Sequence, residues 1–288
     1  WWYFCYKIKK SLRIRIVPLE LITFAETFYQ SKGYRKIDVP WAVDTDVLSI
    51  TLPAGKKGAD LLDKKLVGSA EQSYLQLLKE KKLPAGKYLA TTPCFRDDTL
   101  DELHQHYFLK TELIHICFEH NTISNKIQEQ ELETMIGDAL EFFSFFVPVK
   151  RKETEIGYDI VDERFGIELG SYGLRGHQFS KEYRVQWIYG TAIALPRLTY
   201  VVEHTKKQGY HEMIIPKVPA GSFLKMMEEM QEAKDAYLTR NPIMLLAELS
   251  DLYGALELFL EQKFPSIDMN DIKTMNAVTK RAFENGRR

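Results

Sequence analysis

Cysteine, charge of one sign and long apolar runs are all scarce in this chain. Three cysteines, Cys5, Cys94 and Cys117, are spread over 288 residues without a CxxC spacing. That argues against both a disulfide framework and a zinc site, and it points to a reducing, cytoplasmic location. Lysine and arginine number 39 against 40 aspartate and glutamate, a net charge of −1, so no global field draws the protein to nucleic acid or to a membrane. No apolar run reaches the ~18–20 residues of a membrane span. The opening WWYFC is too short for the apolar region of a signal peptide. Internal repeats and low-complexity tracts are missing too. The chain opens on Trp1 rather than methionine, so a longer N-terminus is expected. What is present is an ordinary globular composition, 45% hydrophobic and 27% charged, long enough for one large or two medium domains.

The most informative stretch is TTPCFRDDTLDELHQHYFLKTEL, residues 91–113. An apolar lead-in, a polar loop and a returning apolar run predict a β-hairpin. Arg96, His104 and Phe108 then share one side of it, with Glu112 a further four residues on. The set suits a nucleoside triphosphate. A guanidinium fork bridges phosphate oxygens, an imidazole approaches a terminal phosphate, and a phenyl ring carries a purine. A surface hairpin with ordinary charges has the same spacing. FRDD followed by a loop and His-x-x-x-Phe-x-x-x-Glu resembles motif 2 of the class II aminoacyl-tRNA synthetases. The resemblance implies that Arg96 binds the ATP α-phosphate, His104 helps to hold the γ-phosphate and Phe108 stacks on adenine. Asp98 stands where the family has glutamate, one methylene short.

Upstream, the partly alternating residues 6–17 predict an edge strand or extended arm. Leu19, Ile22, Phe24, Ala25 and Phe28 are helically spaced and stopped by Gly33, and a short strand follows up to Pro40. This order resembles motif 1, which in the family forms the dimer contact. Residues 53–65, PAGKKGADLLDKK, read as a Gly- and Lys-rich flap. Ser69 is a candidate N-cap for the next helix. In the class IIb relatives a similar Ser-x-Gln-x-Tyr start faces the amino-acid pocket, which makes Ser69, Glu71 and Gln72 candidate amino-acid contacts.

Downstream, Asp159-Ile160-Val161 and Gly166-Ile167-Glu168 predict a hairpin in which Asp159 or Asp162 stands beside Glu168. Two such carboxylates facing a triphosphate can hold Mg2+; a plain charged turn is the alternative. ELGSYGLR, residues 168–175, is similar to the corresponding segment of aspartyl- and asparaginyl-tRNA synthetases and of ammonia-dependent asparagine synthetase. By that likeness Glu168 binds the metal–ATP unit, Ser171 lines the amino-acid site and Arg175 reads an acidic side chain. YGTAIALPRL, residues 189–198, lines up with motif 3. It implies small residues leaving room for a flat base, and Arg197 holding the nucleotide opposite Phe108.

After about residue 210 the pattern is helical over 222–239, 243–263 and 269–285. On helices, Glu228, Glu229 and Glu232 share a face, as do Glu248 and Asp251. Packed together, such carboxylates call for a divalent metal; two solvated acidic faces are the alternative. EExxE followed by ExxD resembles the MazG-like nucleoside triphosphate pyrophosphohydrolases. The likeness implies Mg2+ on these five carboxylates and phosphate contacts from Asn276, Lys280 or Arg281.

The expected fold is therefore mixed α/β. Residues 1–210 form a class II synthetase-like core with a mostly antiparallel sheet flanked by helices, and residues 211–288 form a small all-α domain. The expected activity is ATP-dependent formation of an aminoacyl adenylate, from aspartate, asparagine or a similar amino acid, with Mg2+ as cofactor. The catalytic set is Arg96, Arg197 and Glu168. ATP and an amino acid are the expected partners, with tRNA as a further one, in a homodimer. The alternative is a nucleotide pyrophosphohydrolase whose synthetase-like core only binds nucleotide or tRNA. A non-catalytic regulatory or assembly role is the third class.

Overall fold

The computed structural model describes residues 18–117, 125–205 and 211–284. The arm expected over 6–17, and Cys5 with it, lie outside the described residues. Helix α1 (Leu19–Ser31) ends at Lys32, and Gly33 follows with φ +92°, the left-handed conformation that glycine adopts without strain. Of the strand expected up to Pro40, β1 (Arg35–Lys36) forms, and the Ile37 N–H also donates to the Leu89 carbonyl at 3.0 Å. Strand β2 (Ala42–Val43) and the short helix α2 (Thr45–Ser49) come next, then β3 (Asp60–Leu61) and β4 (Lys64–Leu66). These strands make a small three-stranded sheet in the order β2-β4-β3. Helix α3 (Ala70–Lys79) is capped by Ser69, whose Oγ accepts the Glu71 N–H.

The main sheet has seven strands. The motif 2-like hairpin is β5 (Gly86–Phe95) and β6 (Tyr107–Cys117). After helix α4 (Asn125–Ser144) come β7 (Val149–Thr154), β8 (Gly157–Asp162), β9 (Glu168–Ser180) and β10 (Tyr183–Ala194). The order is β1-β5-β6-β10-β9-β8-β7, and only the β1–β5 pair is parallel. Helix α5 (Leu195–Thr205) leaves the end of β10 directly.

Alternation along the strands sends side chains to two cores. Leu89, Leu113, Ile188 and Ala192 face α1 and α4, where Phe24, Phe28, Tyr29, Phe142 and Phe143 pack edge to face and tilted. Tyr88, Ala90, Ile114, Trp187 and Tyr189 face α3 with Tyr74, Leu75 and Leu78. Cys94 and Cys117 are both buried free thiols, and burial pushes the Cys94 thiol up to about 12.

The last three helices are α6 (Phe223–Leu238), α7 (Pro242–Lys263) and α8 (Met269–Glu284). Ser222 and Asn241 cap the first two, accepting the N–H of Lys225 and Met244, and Pro242 opens α7. Val218 and Leu224 belong to the same core as α1 and α4, and Lys234 reaches Glu20 of α1 at 2.8 Å. None of the helices of the described residues is long and apolar enough to cross a membrane.

Candidate active site

A cavity of about 280 Å³ opens on the α3 face of the sheet. Its wall gathers most of the residues singled out in the sequence: Gln72, Arg96, Asp98, His104, Phe108, Glu168, Ser171, Arg175 and Arg197. Asp159 is not part of that wall but pairs across β8 and β9 with Ser171.

At one end, Arg96 follows β5 and lies over the Phe108 ring, 5.2 Å from its centroid, while its Nε donates to the Gly68 carbonyl at 3.0 Å. That contact fixes the guanidinium plane and leaves its other nitrogens for an anion. Asp98 receives the Lys56 ammonium at 2.7 Å, which holds its carboxyl below the usual range. The flap thus closes on the hairpin loop, a contact that neither segment advertised. His104 is partly exposed and pairs with Asp101 at 2.8 Å.

Arg197 opens α5 and meets the Glu168 carboxylate at 2.6 Å. The residue expected on the nucleotide and the residue expected on the metal–ATP unit therefore stand side by side. Burial, with the Glu168 charge second, raises the Asp159 carboxyl. Asp159 and Glu168 are thus coupled, as two carboxylates that share a cation are. Asp162, the other candidate beside Glu168, serves the turn instead: it is buried and accepts the N–H groups of Arg164, Phe165 and Ile167.

The far end is built around Glu71. Its carboxylate takes the Arg175 guanidinium at 2.5 Å and the Trp187 indole N–H at 2.7 Å. Arg175 also stacks on Tyr189, 4.1 Å from the ring centroid. Burial raises the Glu71 carboxyl, against the pull of Arg175 and Trp187. Beside it Glu112 is buried and held low: burial pushes it up, but Lys110 at 2.6 Å and the Ser69 hydroxyl outweigh that. Gln72 points its carbonyl at the Gly68 N–H, 2.8 Å away, so it braces the loop before α3.

The small residues of β10 need a correction. Gly190, Ala192 and Ala194 were the small residues expected to leave room for a base, and of the three only Ala194 lines the cavity. Instead Ala192 is fully buried in the core against α1 and α4, and a Cβ on Gly190 would stand 2.5 Å from Met135 Sδ and 2.7 Å from the Tyr172 ring. It is Tyr189, Thr191 and Ala194 that reach the cavity. A register shift between Thr191 and Ile193 returns Ala194 to that side, which strict alternation does not anticipate.

A second cluster lies between α6 and α7. Glu228, Glu229, Glu232 and Glu248 are all nearly fully buried; Asp251 is exposed. Ligand oxygens of Glu228, Glu229 and Glu232 lie within 4.8 Å of one another, and so do those of Glu229, Glu248 and Asp251. Lys225 reaches Glu228 and Glu229, and Lys217 reaches Glu228 and Glu232. Glu229 Oε2 has no hydrogen-bond partner. A buried carboxylate set with an orphaned oxygen fits a divalent metal. Lys280 is exposed on α8, and the side chain of Arg281 lies outside the described residues. The basic groups at the carboxylates are Lys217, Lys225 and His211, which spacing alone did not select.

No family model matches the chain. Over 130 residues it is 33% identical to the serine–tRNA ligases of Francisella tularensis subsp. novicida and Francisella philomiragia subsp. philomiragia. That match covers 38% of this chain and 28% of each of theirs. Among solved structures, the cytoplasmic serine–tRNA ligase of Naegleria fowleri, in complex with AMP, aligns with a TM-score of 0.52 and 20% identity. It matches over 69% of this chain and 50% of its own. Seryl-tRNA synthetase from Pyrococcus horikoshii, complexed with ATP, gives 0.50 and 20% over 63% and 49%. A pyrrolysyl-tRNA synthetase from Desulfitobacterium hafniense gives 0.50 and 17% over 70% and 72%. The fold is that of the class II aminoacyl-tRNA synthetases. The chain spans about half the length of the seryl structures, and under a third of the serine–tRNA ligases it matches in sequence.

Proposed function

We propose that the chain activates an amino acid with ATP, forming an aminoacyl adenylate in the cavity on the α3 face. The observation that carries this reading is one cavity with two ends: Arg96 over Phe108 with Arg197 and Glu168 at one, and the buried Glu71–Arg175 pair at the other. In this reading ATP lies with its base on Phe108 and its phosphates between Arg96 and Arg197. Asp98 and His104 lie along the nucleotide, and Ser171 and Gln72 flank the amino acid. The amino acid's carboxylate attacks the α-phosphorus, pyrophosphate leaves, and the two arginines gather the developing charge. Mg2+ would be held by Glu168 and Asp159 together with the phosphates, neutralising the leaving group.

Aspartate and asparagine were the expected substrates because Arg175 suits a carboxylate. The Glu71 partner changes the weight of that inference. A guanidinium already neutralised by a buried glutamate is a poor receptor for a second carboxylate, since like charges then share the site. The pair suits a small uncharged side chain that hydrogen-bonds, and asparagine remains compatible where aspartate is disfavoured. The similarity to serine–tRNA ligases agrees with a small polar substrate. tRNA as acceptor and a homodimer are part of the same proposal; exposed Phe223, Met230, Leu249 and Tyr253, which line an apolar groove, suit contact with a second copy.

The test is ATP–pyrophosphate exchange with each amino acid in turn. Exchange with a small polar amino acid, lost in Arg96→Ala, is the expected result. No exchange with any amino acid removes the ligase reading.

A second reading has its own observation, the buried carboxylates between α6 and α7. We propose that residues 211–288 form a MazG-like unit that holds Mg2+ on Glu228, Glu229, Glu232, Glu248 and Asp251 and cleaves nucleoside triphosphates, with Lys217 and Lys225 as the basic groups at the carboxylates. Pyrophosphate release from dNTPs that survives Arg96→Ala and disappears in Glu248→Ala is its expected mark.

A further inference from the structure

We infer that His211, Glu232 and Glu248 form a site for a divalent transition-metal ion of the zinc class. This site is not the all-carboxylate Mg2+ site, and it rests on neither catalytic reading. One ligand atom from each of the three residues lies within 4.8 Å of the other two. His211 Nε2 stands 3.5 Å from Glu248 Oε1 and 3.7 Å from Glu232 Oε1. Both separations exceed a good hydrogen bond. They match the spacing of two ligands around one ion: with bonds of ~2.1 Å and tetrahedral angles, neighbouring ligand atoms lie ~3.4 Å apart.

The ring is set for this role from behind. Asp235, almost fully buried, accepts the backbone N–H groups of Glu212 and Met213 and faces His211 Nδ1 at 3.1 Å. An acceptor carboxylate at Nδ1 puts the ring proton there and turns the Nε2 lone pair toward Glu232 and Glu248. A carboxylate behind a histidine is the arrangement that orients metal-ligating imidazoles.

A separate observation points to a missing cation. Glu229 is 4% exposed, its Oε2 has no hydrogen-bond partner, and its carboxylate shares the cluster with Glu248. Lysines cover part of the charge. Lys225 serves Glu228 and Glu229, and Lys217 serves Glu228 and Glu232. Among the described residues Glu248 has no ion pair with a lysine or arginine; it faces His211 Nε2. Lys217 has a 65% exposed side chain and a flexible stem, so it can withdraw when an ion arrives.

The donor set decides the class of ion. One imidazole with two carboxylates favours zinc-like borderline ions, whereas Mg2+ prefers oxygen ligands and retains water. An ion here ties the segment after the core, through His211, to α6 through Glu232 and to α7 through Glu248. Because Glu232 and Glu248 also belong to the all-carboxylate groups, the two ion sites share walls.

The test uses the tag-free full chain and Co2+ as a spectroscopic probe for Zn2+. The expected result is visible absorption of low-symmetry Co2+ that Zn2+ abolishes and excess Mg2+ leaves in place. His211→Gln removes the absorption while far-UV circular dichroism is unchanged. Asp235→Asn weakens Co2+ binding by ~10–100-fold, the usual cost of losing such a support. Absorption that persists in His211→Gln, or that Mg2+ removes, overturns the inference. A measurement on the unmodified chain guards against a misfolded variant. Electron spin echo modulation from 14N on bound Cu2+ is expected, and its absence also overturns the site.

Discussion

At the residue scale, the proposed substrate choice turns on Glu71. It is buried, takes both Arg175 and Trp187, and neutralises the one guanidinium at that end of the cavity. Glu71→Gln keeps the shape and an acceptor for Trp187 but removes the charge. Arg175 is then released to pair with a carboxylate on the substrate, an interaction stronger than a neutral hydrogen bond. The expected outcome is a shift of pyrophosphate exchange toward aspartate: its KM falls while that of a small neutral amino acid rises. An unchanged preference means that the pair is purely structural. Arg96→Ala acts at the other end. In the proposed site it removes a charge from the α-phosphate, and loss of one such donor costs about 10²–10³-fold in rate. Exchange assays on this variant are expected to show that loss in kcat, with the melting temperature little changed, because the guanidinium's hydrogen bond to the Gly68 carbonyl is at the partly exposed cavity wall.

At the element scale, the start of α3 joins the cap to the site. Ser69 Oγ accepts the Glu71 N–H and donates to the Glu112 carboxylate, which also takes the Ala70 N–H. Ser69→Ala loses the cap, worth ~1 kcal/mol, and one donor to a buried carboxylate, worth a further ~1–3 kcal/mol. Chemical denaturation is expected to show a loss of roughly 2–4 kcal/mol, with the Glu71–Arg175 end loosened. A loss under ~1 kcal/mol contradicts this account. The cap at Ser69 was legible in the sequence. Caps are local chemistry, and the three C-terminal helices start and stop within a residue or two of expectation. The hairpin carrying Arg96 and Phe108 was legible for the same reason. Strand β9 was not: its glycines hide a 13-residue strand whose length is set by pairing with β8 and β10. Gly190 and Ala192 fall on the core face in phase with Ile188, and only the bulge after Thr191 turns Ala194 to the cavity, so the three small residues do not share a side. The Glu71–Arg175 pair joins residues 104 apart, and no local pattern carries such a contact. His211 was missed likewise, because Asp235 and Glu248 reach it only when the helices pack.

At the scale of the whole molecule, the α6–α7 carboxylates set a pH response opposite to that of the lysine-paired aspartates. Asp44, Asp46 and Asp98 are held low by lysine partners, so what they contribute is present above the unfolded carboxylate range and lost as pH falls. Glu229 and Glu248 are raised, chiefly by burial. For these two the folded state binds more protons than the unfolded state, so ∂ΔG/∂pH is negative. Their contribution is complete below the unfolded value, ~4.3, and is lost as pH climbs through their raised values. The difference between the chain and a Glu229→Gln/Glu248→Gln variant isolates this effect from the opposing aspartates. Without divalent metal the variant is expected to gain in melting temperature relative to the parent between pH 4.5 and 7. Divalent metal reverses the order at pH 7, because it binds the parent's folded state alone, and a hundredfold excess over Kd is worth about 2.7 kcal/mol. A pH-independent difference removes the raised carboxylates from the account. Equal stabilisation of both chains by metal removes the cluster as its binding site.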